Sequence, residues 1–173
     1  MDEILEITKF MLPALVVLAA TYIVLNKLIN AHSMHKSMEA RYQIKRDALP
    51  IKLQAYERLI IYLERIAPSA LILRVYKSGM SAKYFQNELI TSIKTEFEHN
   101  LSQQIYVSDT AWEVTRNAKE EMIKFILTTG NRLDESSGGL ELSKLMMEVL
   151  TQVEKLPTQI AEEVIKEEVR RYL

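Results

Sequence analysis

The longest apolar stretch of the chain lies near its N-terminus. The run FMLPALVVLAATYIVL, from Phe10 to Leu25, holds no charged residue and no polar stripe. A helix that packs on a soluble core needs such a stripe, so this pattern predicts a transmembrane helix. The run has about 16 residues, fewer than the roughly 20 that span a bilayer, so the predicted span extends from Ile7 to Ile29. The predicted membrane span includes Phe10, Leu12, Pro13, Val16, Val17, Leu18, Tyr22, Val24 and Leu25.

The charges on the two sides of this run differ. Acidic residues precede it, with Lys9 the one basic residue there, whereas basic residues dominate the sequence that follows. Basic flanks are retained in the cytoplasm, so the N-terminus is predicted outside and the bulk of the chain inside. The basic residues either contact anionic lipid headgroups or only set this orientation. The predicted headgroup contacts are Lys27, Lys36, Arg41, Lys45 and Arg46.

Two other interpretations of the apolar run remain open. A cleaved signal peptide requires a basic start and small residues after the apolar core, whereas this chain begins with acidic residues. A buried core helix agrees with the short length of the run, but it leaves the missing polar face unexplained.

After residue 49, apolar residues recur three and four positions apart, which is typical of amphipathic helices. Pro50 and Pro68 bracket the first such stripe, and Pro50 predicts a helix boundary or a kink. SALILRVY (69–76) fits either a short helix or an extended connector. Ser81 is a suitable N-cap for the helix that follows. Ser108 and Asp109 begin the next helix, in which Asp109 with Trp112 and Glu113 resembles a capping arrangement. In the last helix, Glu162 and Glu168 are among the residues predicted to face water.

These patterns predict an all-α protein: one N-terminal transmembrane helix followed by a cytoplasmic helical bundle of about five helices. The predicted parts are a membrane anchor (1–29), a basic juxtamembrane helical segment (30–49), a helical core domain (50–133), a flexible loop (134–139) and a C-terminal helical pair (140–173).

Composition narrows the chemistry. The 173 residues include 48% apolar and 26% charged residues, which is ordinary for a folded protein. The net charge of −1 gives no electrostatic reason to expect nucleic acid. The chain has no cysteine, which excludes disulfides, thiolate metal sites and cysteine nucleophiles. No phosphate-binding glycine loop, HExxH or GxSxG motif occurs, so no cofactor, catalytic residue or small-molecule substrate is predicted.

Two polar groups are the remaining candidates for a site. His32, His35 and Glu39 share helical spacing that is compatible with a transition metal, but two imidazoles without a closed ligand set do not make a metal site. A polar cluster at a predicted helix end includes Glu96, His99, Asn100 and Gln103. This cluster is either an interaction site or a helix terminus whose side chains satisfy backbone groups. The lone Trp112 is predicted to lie in the core.

Two blocks of the sequence carry a resemblance: AYERLIIYLERIAP (55–68) and TEFEHNLSQQIYVSDTAWEVTRNAKEEMIKFI (95–126). The chain resembles an uncharacterised family of single-pass membrane proteins from Bacteroidetes. The resemblance implies a bacterial inner-membrane protein. It implies no activity, and it assigns no functional residue.

The leading functional hypothesis is therefore a membrane-anchored scaffold or accessory subunit without catalysis, which binds other protein chains at the cytoplasmic face of the inner membrane. Its expected partners are membrane lipid and protein chains, including further copies of itself. One alternative is a lipid-proximal regulator that uses the basic segment. The least favoured alternative is an enzyme that uses Glu96 and His99.

Overall fold

The computed structural model describes the backbone of residues 2–172 and the side chains of residues 15–18, 20–28, 39, 42–43 and 46–172. The described chain is helical apart from loops and one isolated β-bridge, which confirms the all-α class. The helices are α1 (Asp2–Ile66), α2 (Pro68–Val75), α3 (Ala82–Glu98), α4 (Asp109–Gly130), α5 (Gly139–Leu150) and α6 (Pro157–Arg170), with a 3₁₀ turn over Leu101–Ile105.

The predicted transmembrane helix is wrong. Among the residues that the structure describes, no helix combines the length and the apolar character that a membrane crossing requires. The uncharged run has about 16 residues, whereas about 20 apolar residues are needed to cross a hydrocarbon core. The single-pass topology and the inner-membrane localisation are overturned with it. Of the predicted span residues, Val16, Val17, Leu18, Tyr22, Val24 and Leu25 are exposed, whereas Phe10, Leu12 and Pro13 lie outside the described side chains.

The fold divides into two parts at a boundary inside α1, between Leu49 and Pro50. Pro50 lies within α1 and does not end it. The following proline, Pro68, opens α2 at its first turn, where a missing backbone donor costs nothing. Residues 69–75 are therefore helical, the extended alternative is wrong for them, and Tyr76 ends the helix with an extended backbone.

The part from Pro50 onward encloses one hydrophobic core. In it, α3 packs against α2, α4 and α5, and α4 also packs against α5 and α6. The residues with the largest fully buried side chains are Tyr56, Leu59, Tyr62, Leu63, Ile66, Leu71, Phe85, Leu89, Ile93, Met122, Ile126 and Leu142. The core therefore draws on α1 to α5, and Ala161 and Ile165 add the buried face of α6.

Serine caps fix where α3 and α4 begin. The Ser81 hydroxyl accepts a hydrogen bond from the Tyr84 N–H (3.2 Å), and the Ser108 hydroxyl accepts one from the Ala111 N–H (3.0 Å). Each bond satisfies a backbone donor that the first helical turn leaves without a partner. The predicted N-cap Ser81 is therefore confirmed, whereas the cap of α4 is Ser108 and the predicted Asp109 is the first residue of the helix.

The loop over residues 134–139 is held against the start of α3. The Ala82 N–H donates to the Ser137 carbonyl and the Gly139 N–H donates to the Met80 carbonyl, both at 2.8 Å. A Cβ at position 139 would lie 3.2 Å from the Met80 carbonyl oxygen, so glycine permits this close approach. The predicted loop is thus joined to the core domain by backbone hydrogen bonds on both sides.

Candidate functional site

The predicted polar cluster at the end of α3 is built around an ion-pair group. The Glu96 carboxylate accepts hydrogen bonds from Arg65 Nη2 of α1 (2.5 Å) and Arg74 Nη1 of α2 (2.6 Å). Arg74 also donates to the Arg65 carbonyl at 3.1 Å. One carboxylate therefore connects the ends of three consecutive helices. The hydrogen bond from Arg65 is the main reason that the pKa of Glu96 lies below its usual value, although partial burial opposes it.

The other three members of the cluster do not converge with this carboxylate. The buried Asn100 donates from Nδ2 to the Glu96 carbonyl at 2.8 Å, and the buried Gln103 donates to the Ser102 hydroxyl at 3.2 Å. The His99 side chain is exposed, whereas its backbone carbonyl accepts from Arg58 at 3.5 Å. The cluster is therefore a helix terminus with satisfied polar groups, and its side chains do not form one pocket.

A second polar network, which the sequence analysis missed, joins α1, α4 and α6. The Glu168 carboxylate accepts from the Tyr56 and Ser108 hydroxyls, each at 2.6 Å, and from the Tyr172 hydroxyl at 3.2 Å. The Ser108 N–H donates to the Tyr56 hydroxyl at 3.2 Å. The Glu168 carboxylate thus links the N-cap of α4 to the end of α6. Each hydrogen bond in this network polarises the next one.

A lysine and two aromatic rings close this network on its outer side. Lys52 donates to the Tyr172 hydroxyl at 2.7 Å, and its ammonium group lies 4.0 Å from the centre of the same ring. The rings of Tyr56 and Tyr172 are 6.1 Å apart. The contact between the Lys52 ammonium group and the Tyr172 ring is a cation–π interaction, which stabilises a cation beside an aromatic ring at a partly exposed position.

The ionisation of this network follows from its contacts. Burial favours a raised pKa for Glu168, but the hydrogen bonds from Ser108, Tyr56 and Tyr172 outweigh it and place the pKa below its usual range. Burial, reinforced by the Glu168 carboxylate, raises the pKa of the Tyr56 hydroxyl. Glu168 is therefore a carboxylate and Tyr56 a hydrogen-bond donor at neutral pH.

An open depression of about 330 Å³ lies beside the network and is lined by Ser108, Thr110, Val164, Glu167, Glu168, Arg171 and Tyr172. The prediction that Glu168 faces water is wrong, because the side chain is half-buried and bound to three hydroxyls. Glu162 is also buried, and it accepts from Lys166 at 2.8 Å. Two local signals were present, the serine at position 108 at the start of a helix and the four-residue spacing of Glu168 and Tyr172. The hydrogen bonds from Tyr56 and Ser108 to Glu168 join residues far apart in the sequence, so no periodic pattern predicts them.

The aromatic core places Trp112 at its edge. Its ring stacks on Phe97 with the centroids 5.2 Å apart, and Phe97 in turn contacts Tyr62 at 5.7 Å. Lys119 lies over the Phe97 ring at 4.2 Å. Trp112 is half-buried, so it contacts the core but does not lie fully within it.

Two sets of predicted residues lie wholly or partly outside the described side chains. Lys36, Arg41 and Lys45 of the predicted headgroup contacts, and His32 and His35 of the metal alternative, are not described. Lys27, Arg46 and Glu39 are described and exposed. Among the described residues, no group of three or more histidines and carboxylates is arranged to hold a metal ion.

These features define an all-α protein in which the polar networks around Glu96 and Glu168 connect helices of the C-terminal part. The chain belongs to the family of unknown function DUF7935, whose model matches residues 2–172. No curated protein and no solved structure matches it. The resemblance to an uncharacterised family is thus confirmed at the level of the family, and the bacterial group stays a prediction.

Proposed function

We propose that this protein is a helical module that binds other protein chains, as a scaffold or accessory subunit without catalytic activity. The observation that supports this function is an apolar surface on α1 between Leu15 and Leu28. Nine large apolar side chains there are between 51% and 69% exposed: Leu15, Val16, Val17, Leu18, Tyr22, Ile23, Val24, Leu25 and Leu28.

The size of this surface argues for a binding role. All nine side chains are more than half exposed, and they lie on every side of the helix between Leu15 and Leu28. Single proteins rarely leave more than a few hundred Å² of contiguous apolar surface uncovered. A partner that covers Leu15–Leu28 would gain hydrophobic stabilisation at about 25 cal/mol for each Å² removed from water.

The polar networks of the C-terminal part support a structural role for that part. Glu96 is held by two arginines, and Glu168 by three hydroxyls, so both carboxylates already have their hydrogen-bond partners within the chain. A general acid or base needs a proton that it can exchange with a substrate. We therefore assign these carboxylates to the stability of the helical domain and the α1 surface to binding.

Photo-crosslinking in intact cells tests this function. A photo-activatable amino acid replaces Leu18 in one variant and Glu57 in another, because both are exposed positions of the same helix. We expect protein adducts to form several times more often at position 18 than at position 57. Equal yields at both positions, or adducts at position 18 with lipid alone, would contradict a protein-binding surface.

A further inference from the structure

The exposed surface of α1 contains two apolar seams. The first seam consists of Leu15, Leu18, Tyr22 and Leu25, with spacings of three, four and three residues. The second seam consists of Val17, Thr21, Val24 and Leu28, with spacings of four, three and four. Alternation of three and four is the pattern by which one helix packs along another in a coiled coil.

The two seams lie on different sides of the helix. At about 100° per residue, their centres are roughly 110° apart around the helix axis. The remaining side carries Ala20 and Lys27 beside Val16 and Ile23. Seven of the nine large exposed apolar residues therefore belong to the seams, while a small and a charged residue share the third side.

Thr21 is compatible with burial in the second seam. Its hydroxyl donates to the Val17 carbonyl at 2.7 Å, one helical turn earlier. The hydroxyl is thus satisfied within its own helix, and covering it does not leave an unpaired donor.

We propose that the occupant of these seams is the same segment of other copies of this chain. This inference rests on the proposed function and names its partner. A second copy presents a heptad-spaced seam of matching length. A foreign partner would have no charge to recognise between residues 15 and 26. Two copies would leave one seam of each helix uncovered, so the geometry indicates an assembly of at least three helices.

The natural absence of cysteine permits a clean test. Single cysteines replace Leu18 in the first seam, Val24 in the second seam or Lys27 on the third side of the 173-residue chain. Two copies with different affinity tags are produced together in cells and then oxidised. We expect disulfide-linked pairs of the two tags at positions 18 and 24, several times more than at position 27. The variant with both Leu18→Cys and Val24→Cys should form species larger than dimers.

Three results would overturn self-association, and they separate it from the proposed function. Equal pair formation at all three positions would indicate random collision. Disulfides with a foreign protein alone would refute self-association while the binding function stands. If position 18 forms no protein adduct and its cysteine reacts only with a lipid-borne probe, both proposals fail. Circular dichroism of each variant verifies that α1 remains helical.

Discussion

The parts of α1 before and after Pro50 both contain leucines, but one of these leucines is exposed and the other is buried. Leu18, in the part before Pro50, is 69% exposed, whereas Leu63, in the part after it, is fully buried among core side chains. Both belong to apolar patterns of one helix, so the sequence of the helix does not determine the burial. The difference lies in the neighbours: α2 to α6 supply a core around Leu63. Packing within the chain therefore accounts for the burial of Leu63, whereas the proposed function assigns the exposed Leu18 to a binding surface.

The largest predicted effect comes from the matched substitutions Leu63→Ala and Leu18→Ala. Leu63→Ala should lower the free energy of unfolding by about 2–5 kcal/mol, because it empties a packed position. Leu18→Ala should change it by less than about 0.5 kcal/mol, because the side chain lacks a packed environment within the chain. Urea unfolding followed by the fluorescence of Trp112, the one tryptophan, measures both. Similar losses for the two variants would show that Leu18 also belongs to the fold.

Gly130→Ala should cost about 1–3 kcal/mol, since overpacking forces buried side chains out of place. A Cβ at position 130 would lie 2.1 Å from Nε2 of Gln86, which is buried and donates to the Ile126 carbonyl at 3.2 Å. Gly138→Ala is the control, because a Cβ at position 138 meets nothing within 4 Å. The double variant Gly130→Ala with Gln86→Ala should lose less stability than the sum of its parts. Strict additivity would refute the clash.

The Glu168 network predicts a dependence of stability on pH. The pKa of Glu168 is lower in the folded chain than its ordinary value of 4.5, so its stabilisation is complete above pH 4.5 and is lost as the pH falls through the folded value. Glu168→Gln should cost about 1–3 kcal/mol at pH 7, because charged hydrogen bonds are lost. The difference in the free energy of unfolding between Glu168→Gln and the parent should become smaller as the pH falls. Unfolding curves from pH 7 to pH 3 test this, with the exposed Glu167→Gln as control. A gap that stays constant would exclude the charge of Glu168 as its source.

The smallest effect is expected at His99. His99→Ala should leave the free energy of unfolding within about 0.5 kcal/mol of the parent, because the side chain is exposed and only the backbone carbonyl accepts from Arg58. The same unfolding assay measures it, beside Glu96→Gln, which weakens two ion pairs and should cost more. A larger loss at His99 than at Glu96 would assign the histidine a contact that the structure does not contain.

The helices of the core domain were predictable because each one buries a stripe at three- and four-residue spacing. Ser81 and Ser108 marked helix starts for a local reason, since a cap acts within three residues. The Glu168 network was not predictable in this way. Two of its donors, Tyr56 and Ser108, are 112 and 60 positions away from Glu168 in the chain. Hydrogen bonds between such distant residues leave no periodic signal in the sequence.

For the N-terminal apolar run, the helix was predictable from the sequence but its surroundings were not. Its pattern was interpreted correctly as helical, and the structure places it in α1. The inference from apolar character to a membrane span was wrong, because apolar character shows which residues avoid water and does not show what covers them. The exposure of the described side chains and the heptad spacing of the two seams are the basis of the proposed self-association.

The most direct test of the account is the mass of the full-length protein in solution, measured by sedimentation equilibrium. The parent chain of 20.0 kDa should sediment as an assembly of at least three copies. Leu18→Glu, which places a charge in the first seam, should shift the mass toward a single chain, while Lys27→Glu on the third side should not. A parent that sediments as a single chain, or a loss of assembly that is equal in both variants, would contradict association through the seams of α1.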